Sequence, residues 1–417
     1  MFLMAPLSFA DNGVSGIPVD DPVLYRIVRK VHMWDMFRQV SGCDDTTEVK
    51  PRQKHRLTPG QGRLVMEYLS SQYDDLESWE IRRRNIRKDL YANMGLDKID
   101  TAFQGRMISN MIRPYTGYTV RNFALEILPG VFCTGSIYHP ASCEGKLPLL
   151  LNPHGHYEGG RCHPIVQSRC AAFALMGCVS VCYDMFAYGV YPQFDPQYHK
   201  TSLAQPYNML CAKKLLDYFL SLEQIDSSRV GITGSSGGGS QAFFAVAIDD
   251  RITLSMPVVM VSSASFGGCP CESGTNVHFS GGFTNNVELA ALCAPRPMLL
   301  ISDGADWTRY FPMVDYPHIE RVYGFYGAQD KVMAVHFPDE VHDYGPSKRK
   351  AAYEFLAKHW QLDLAVLTGN DGCLDESRCV IEEPSLMNVW KDSGMPSDAV
   401  TSVRDFARMI GWITTSD

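Results

Sequence analysis

The 417-residue chain has no run of about eighteen consecutive apolar residues, so nothing in it reads as a helix crossing a bilayer. It lacks a basic excess too. Its 38 lysines and arginines are outnumbered by 46 aspartates and glutamates, and a formal net charge of −8 argues against a nucleic-acid partner. The densest basic run, Arg82, Arg83, Arg84, Arg87 and Lys88, sits in a helical pattern and reads as a solvated helix face. Internal repeats and low-complexity segments are missing. So is the paired CxxC spacing of a zinc site, although there are thirteen cysteines, an odd number that cannot all pair within the chain. Cys269 and Cys271 form a CxC, too tight for a relaxed disulfide between them, and Cys178 and Cys182 fall in apolar runs as small core residues. Cysteine usage therefore does not settle the compartment.

What is present is a globular composition, 45% hydrophobic and 20% charged, long enough to bury a large core. Residues 1–10 are apolar and end in small residues, which suggests the remnant of a signal peptide. The expected location is periplasmic or secreted, with the cytoplasm as the alternative. Residues 11–100 read as a helical extension, with helical spacing over 21–40, a polar loop over 53–62 and a charged amphipathic helix over 76–94 that Gly95 caps. From Gly117 the period changes. Residues 118–128 and 131–138 alternate and are joined by Pro129-Gly130, which predicts a β-hairpin.

Short apolar runs follow at 147–152, 178–183, 230–233, 254–261, 298–302 and 332–337. Helical segments lie between and after them, at 208–222, 239–248, 312–326 and 347–360. Near-continuous apolar strands alternating with helices require a mostly parallel sheet covered on both faces. This is the α/β-hydrolase layout over residues 101–362. Residues 363–417 form a loop-rich C-terminal extension with one closing helix at 398–410.

The strongest chemical signal is Gly234-Ser235-Ser236-Gly237-Gly238, a G-x-S-x-G at a strand-to-helix junction. Such a junction holds a nucleophile on a strained turn and aims the next backbone N–H, that of Gly237, at a developing oxyanion. Ser236 is the nucleophile, because Thr233 occupies the glycine position that Ser235 would need. A serine needs a base oriented by a third group, in the chain order serine, acid, histidine. His342 lies just after the last strand. Asp306 follows the strand before it and is preferred as the acid, with Asp303, Glu272 and Asp330 as alternatives in that order. His336, inside the strand, reads as structural.

Asn152-Pro153-His154-Gly155-His156 ends the first central strand, where the other oxyanion amide belongs, and Gly155 or His156 is the candidate donor. The rival reading of His154, His156 and His163 as a metal cluster is disfavoured for want of a carboxylate or cysteine at suitable spacing. No metal and no cofactor is expected. His154, Asp184, Tyr188, Glu272 and Trp307 follow strand ends and are candidates for the substrate pocket, where an aromatic ring suits the apolar face of a sugar.

These stretches, with Gly267-Gly268-Cys269-Pro270-Cys271-Glu272, Ala294-Pro295-Arg296-Pro297-Met298, Asp306-Trp307-Thr308 and His342-Asp343-Tyr344-Gly345-Pro346, resemble bacterial acetyl xylan esterase-like α/β-hydrolases related to the dienelactone hydrolases. The resemblance covers about residues 76–362. It implies carboxyl-ester hydrolysis on plant polysaccharide, either demethylation of uronate esters or deacetylation, and it supports Asp306 as the acid. Glucuronoyl esterases normally carry an arginine beside the elbow serine, whereas Ser236 is flanked by Ser235 and Gly237. A serine peptidase of the same fold and a non-catalytic binding protein descended from a hydrolase are the alternatives. The oligomeric state is not legible.

Overall fold

The computed structural model describes residues 57–412, apart from positions 101 and 143. The readings placed on residues 1–10 and 21–40 lie outside the described residues. Strands β1 Met107–Ser109, β2 Arg113–Tyr115, β3 Tyr118–Leu128, β4 Val131–Pro140, β5 Leu147–Leu151, β6 Val179–Tyr183, β7 Ile225–Ser235, β8 Leu254–Val258, β9 Met298–Asp303 and β10 Val332–Phe337 form one sheet. Its order is β1-β3-β4-β6-β5-β7-β8-β9-β10, with β2 also paired to β3. The β3–β4 hairpin and its neighbours are antiparallel, and every pair from β6 to β10 is parallel. The central parallel strands are buried along their whole length, because helices cover both faces of the sheet.

The helices are α1 Pro59–Ser70, α2 Leu76–Asn93, α3 Pro164–Leu175, α4 Ala204–Leu220, α5 Gly237–Ile248, α6 Pro270–Ser273, α7 Asn286–Ala291, α8 Phe311–Val314, α9 Tyr316–Phe325, α10 Pro346–Trp360 and α11 Val403–Met409. Two expectations are corrected. Most of the described part of the 53–62 loop is the first turn of α1, where Thr58 and Gln61 form a capping box that a polar, glycine-containing stretch disguises as a turn. The single helix expected over 312–326 is two, since Pro317 opens a second helix and interrupts the first.

The N-terminal helices share the catalytic core. Trp79, Ile86 and Leu90 of α2 lie in one buried cluster with Phe243 and Phe244 of α5. Arg82 makes a bidentate ion pair with Glu288 of α7, both contacts at 2.8 Å, and its guanidinium also donates to Gly281 O. Residues 374–412 strap the antiparallel edge. The Arg113 guanidinium pairs with Glu382, Asn122 Nδ2 donates to Leu386 O at 2.7 Å, and Phe406 packs on Phe186, Phe194 and Tyr207.

The strand order fixes where a site can form. The chain runs from β5 to β6 on one side and then crosses back to β7 on the other. The loops leaving β5 and β7 therefore diverge, and a crevice opens at their carboxyl ends.

Candidate active site

Ser236 occupies that crevice. It joins β7 to α5 with φ 55° and ψ −121°, a conformation that L side chains rarely adopt and that costs about 1–3 kcal/mol. The glycines around it are there for space. A β-carbon on Gly234 would lie 2.5 Å from Pro153 O, and one on Gly238 would lie 2.3 Å from the same oxygen. As the first residue of α5, Gly237 has an N–H with no intrahelical acceptor.

The β5 loop lies directly on the elbow, with the β-carbon position of Gly155 3.4 Å from Ser236 Cβ. Its peptide orientation is held by His154. Fully buried, His154 has its Nδ1 2.8 Å from Gly155 O and accepts from Met185 N–H at Nε2 (3.3 Å). Burial pulls its pKa down to about 4, so the ring is neutral and its proton sits on Nδ1. Gly155 O also accepts from Tyr157 N–H at 2.8 Å. In a trans peptide the N–H of His156 then points the opposite way. Among the described residues neither Gly155 N–H nor His156 N–H has an acceptor.

Asp306 and His342 meet as expected, with Asp306 Oδ2 2.5 Å from His342 Nδ1. Asp306 is held in turn by Thr308, whose N–H and Oγ1–H donate to Oδ1 at 2.5 and 2.6 Å. Of the alternatives, Asp303 also has a carboxylate oxygen within 4.8 Å of the Asp306–His342 pair, but among the described residues no hydrogen bond joins it to His342. Asp303 is buried against Lys348 Nζ at 3.2 Å, Glu272 faces His156, and Asp330 is exposed ahead of β10. His336 contacts Ser302 Oγ within the sheet at 2.8 Å, in line with the structural reading. Among the described residues Ser236 Oγ takes no hydrogen-bond partner, so the serine–histidine link is the one contact of the expected triad left open.

The pocket candidates divide. Trp307 lies beside the His342 ring, tilted by 45° with centroids 4.5 Å apart, and the half-buried Tyr188 stands against His156 at 5.6 Å. His154, Asp184 and Glu272 are buried and make supporting hydrogen bonds. Asp184 Oδ2 accepts from Arg161 Nε and Thr134 Oγ1, at 2.8 and 2.7 Å. Glu272 is buried and Oε2 accepts from the N–H groups of Gly268 and Cys269, so burial raises its pKa only against those bonds and the nearby His156. Supporting residues and lining residues follow strand ends alike, so their sequence positions do not separate them.

The disfavoured trio of His154, His156 and His163 does not gather at one point. His163 caps α3 and stacks on Tyr157, centroids 4.7 Å apart. Instead His156 meets three side chains that sequence reading did not connect with it: His199, Cys269 and Cys271. One ligand atom from each of the four lies within 4.8 Å of all the others. His156 Nε2 is 3.1 Å from His199 Nε2 and 3.2 Å from Cys271 Sγ. The Cys269 thiol is held well below its ordinary value, chiefly by the hydrogen bond to Cys271, with further bonds to His156 and His199 overcoming burial.

The family model described as glucuronyl esterase, fungi, matches residues 208–277. A search of the curated proteins finds no match. Among solved structures, Methylesterase BT1017 is 39% identical with a TM-score of 0.80, the match covering 87% of this chain and 80% of that one. A candidate acetyl xylan esterase from Bacteroides fragilis NCTC 9343 shares the fold at 15% identity and a TM-score of 0.51, over 71% of this chain and 88% of that one. A family 15 glucuronoyl esterase from Teredinibacter turnerae T7901 matches 69% of this chain and 86% of its own at 13% identity, with a TM-score of 0.49. With the sheet, the helices on both faces and a relative of this similarity, the chain belongs to the bacterial carbohydrate esterases of the α/β-hydrolase superfamily.

Proposed function

We propose that the chain hydrolyses methyl esters of uronic-acid residues in plant cell-wall polysaccharide, by a Ser236–His342–Asp306 triad and an acyl-enzyme. The carrying observation is the strained Ser236 elbow with the Gly155–His156 turn laid over it, beside an Asp306–His342 pair. The similarity to a methylesterase supports the methyl ester over the acetyl ester.

In this reading His342 takes the proton from Ser236 Oγ as the oxygen attacks the ester carbonyl. The N–H groups of Gly237 and of Gly155 or His156 stabilise the oxyanion. Collapse breaks the bond to the methoxy oxygen, which leaves as methanol with the proton from His342. The sugar carboxyl remains on Ser236. Water, deprotonated by His342, attacks that ester and releases the uronate. Asp306 fixes the His342 tautomer and stabilises its imidazolium form. Trp307 offers its ring to the apolar face of the sugar beside the scissile group.

Methanol and acetate released from esterified pectin and acetylated xylan digests, with Ser236→Ala as control, test the reading. Methanol without acetate is expected. Acetate alone would replace it with a deacetylase. Neither product above the Ser236→Ala background would remove the polysaccharide assignment, and cleavage of peptides in place of esters would favour the peptidase.

A further inference from the structure

The four side chains gathered beside the elbow come from three loops that leave different strands. His156 follows β5, and His199 lies in a 3-10 turn at Pro196–Lys200 after β6. Cys269 and Cys271 stand at the start of α6, after β8. Two thiols and two imidazoles are the ligand set of closed, tetrahedral zinc sites. With metal–sulfur bonds of about 2.3 Å and metal–nitrogen bonds of about 2.1 Å, tetrahedral ligand atoms stand roughly 3.4–3.8 Å apart. The four atoms here are all within 4.8 Å of one another, so side-chain adjustments of about an ångström would complete the shell.

The outer contacts point the same way. His199 Nδ1 lies 2.7 Å from Phe186 O, which fixes its proton there and turns the Nε2 lone pair into the cluster. His156 Nδ1 has Glu272 Oε1 on its side at 3.7 Å, beyond hydrogen-bond length, while Nε2 points into the cluster. A carbonyl behind one imidazole and a carboxylate behind the other are the partners that metal-bound histidines characteristically have. His156 Nε2 and His199 Nε2 stand 3.1 Å apart, a contact that either a proton shared between them or one cation bound to both satisfies. Glu272 is itself held by the Gly268 and Cys269 N–H groups, so the cysteine loop carries both two ligands and the carboxylate behind a third.

We infer that His156, His199, Cys269 and Cys271 bind one zinc ion, which clamps the loops after β5, β6 and β8 together beside Ser236. Four protein ligands leave no open position, so the ion is structural and activates no water. Two thiolates balance its charge, and binding releases the thiol protons to solvent. Its reach into catalysis is through position. The β-carbon site of Gly237 is 2.9 Å from His156 Cε1, so fixing the His156 ring fixes the turn whose N–H groups face the oxyanion. His156 is thereby a positioning residue through its side chain. The metal claim stands without the esterase reading, whereas its effect on turnover rests on it.

The test uses the full chain without a histidine tag. Metal analysis of the purified protein is expected to give about one zinc per chain. Cobalt added to the metal-depleted protein should give the visible bands of a tetrahedral site and a thiolate charge-transfer band. Cys269→Ser/Cys271→Ser should abolish both signals, and His199→Asn should weaken them; Cys373→Ser, which alters an exposed cysteine far along the chain, should change neither. For the positioning role, kcat of His199→Asn should fall about tenfold with KM little changed. A full kcat in a zinc-free variant would leave the ion a purely structural role and overturn the positioning claim. Absence of stoichiometric zinc together with no tetrahedral cobalt spectrum from the wild type overturns the site itself, as does a Cys269–Cys271 disulfide seen by mass in the freshly isolated protein. Both metal readouts are independent of ester hydrolysis, so their failure is distinct from failure of the methylesterase reading.

Discussion

Gly155 stands so close to Ser236 that a β-carbon added to it would lie 2.8 Å from Ser235 O and 3.4 Å from Ser236 Cβ. The first contact is with backbone, which cannot swing aside. A methyl group at this position therefore lifts the 154–156 turn off the elbow and moves the free N–H groups away from where the oxyanion forms. Gly155→Ala is expected to lower kcat by about 10²–10³, the range for losing one oxyanion donor, with KM changing little. Steady-state kinetics beside a thermal melt would check it. Unchanged kcat in a folded variant would place the second donor elsewhere.

The two aspartates after β9 are three residues apart and do different work. Asp306 faces His342, while Asp303 is buried against Lys348, whose ammonium also meets Asp343 at 3.0 Å and Glu340 at 3.5 Å. Asp306→Asn leaves the size of the side chain but turns the histidine to the wrong tautomer, and kcat should fall by about 10⁴ with stability nearly intact. Asp303→Asn removes one of three carboxylates around Lys348, and Asp343 and Glu340 remain. It should lower stability in urea unfolding by less than the cost of a stranded buried charge, about 3–5 kcal/mol, with kcat of the folded fraction much less affected than in Asp306→Asn. If the two effects came out exchanged, Asp303 would be the triad member.

The parts of this protein that were legible in the sequence are those in which a local pattern and the tertiary environment ask for the same thing. The β3–β4 hairpin alternates because each of its strands lies between a buried face and a partner, and Pro129-Gly130 supplies the turn. The parallel strands are apolar runs because both faces are covered. Ser236, Asp306 and His342 could be chosen because strand-end position and chain order restrict the candidates. By contrast β1 and β2 are three residues each, and β2 contains Pro114, so no periodicity can develop. His154 and Asp184 follow strand ends as lining residues do, and only burial reveals them as braces. The Cys269–Cys271–His156–His199 cluster was invisible for a topological reason. His156 is 43 residues from His199 and 115 from Cys271, and only the sheet order brings their loops together.

Asp315, ahead of α9, accepts from Ser263 N–H at 3.2 Å and is otherwise enclosed, and burial pushes its pKa up to about 7. An unfolded chain releases this proton near pH 4. Between those values the folded state keeps a proton that the unfolded state has lost, so stability falls as pH rises, by about 1.4 kcal/mol per unit for this group alone. The contribution is complete below the unfolded value and gone above the folded one. Asn has the same shape, can still accept from Ser263, and carries no charge. Asp315→Asn should therefore gain stability over the wild type steadily from pH 5 to pH 7, and the gap should level off by pH 8. Urea unfolding of both proteins at pH 5, 6, 7 and 8 reads this directly. A difference that stayed the same at all four values would mean that Asp315 ionises in the folded protein as it does in water, and that its enclosure by the Ser263 loop opens readily to solvent.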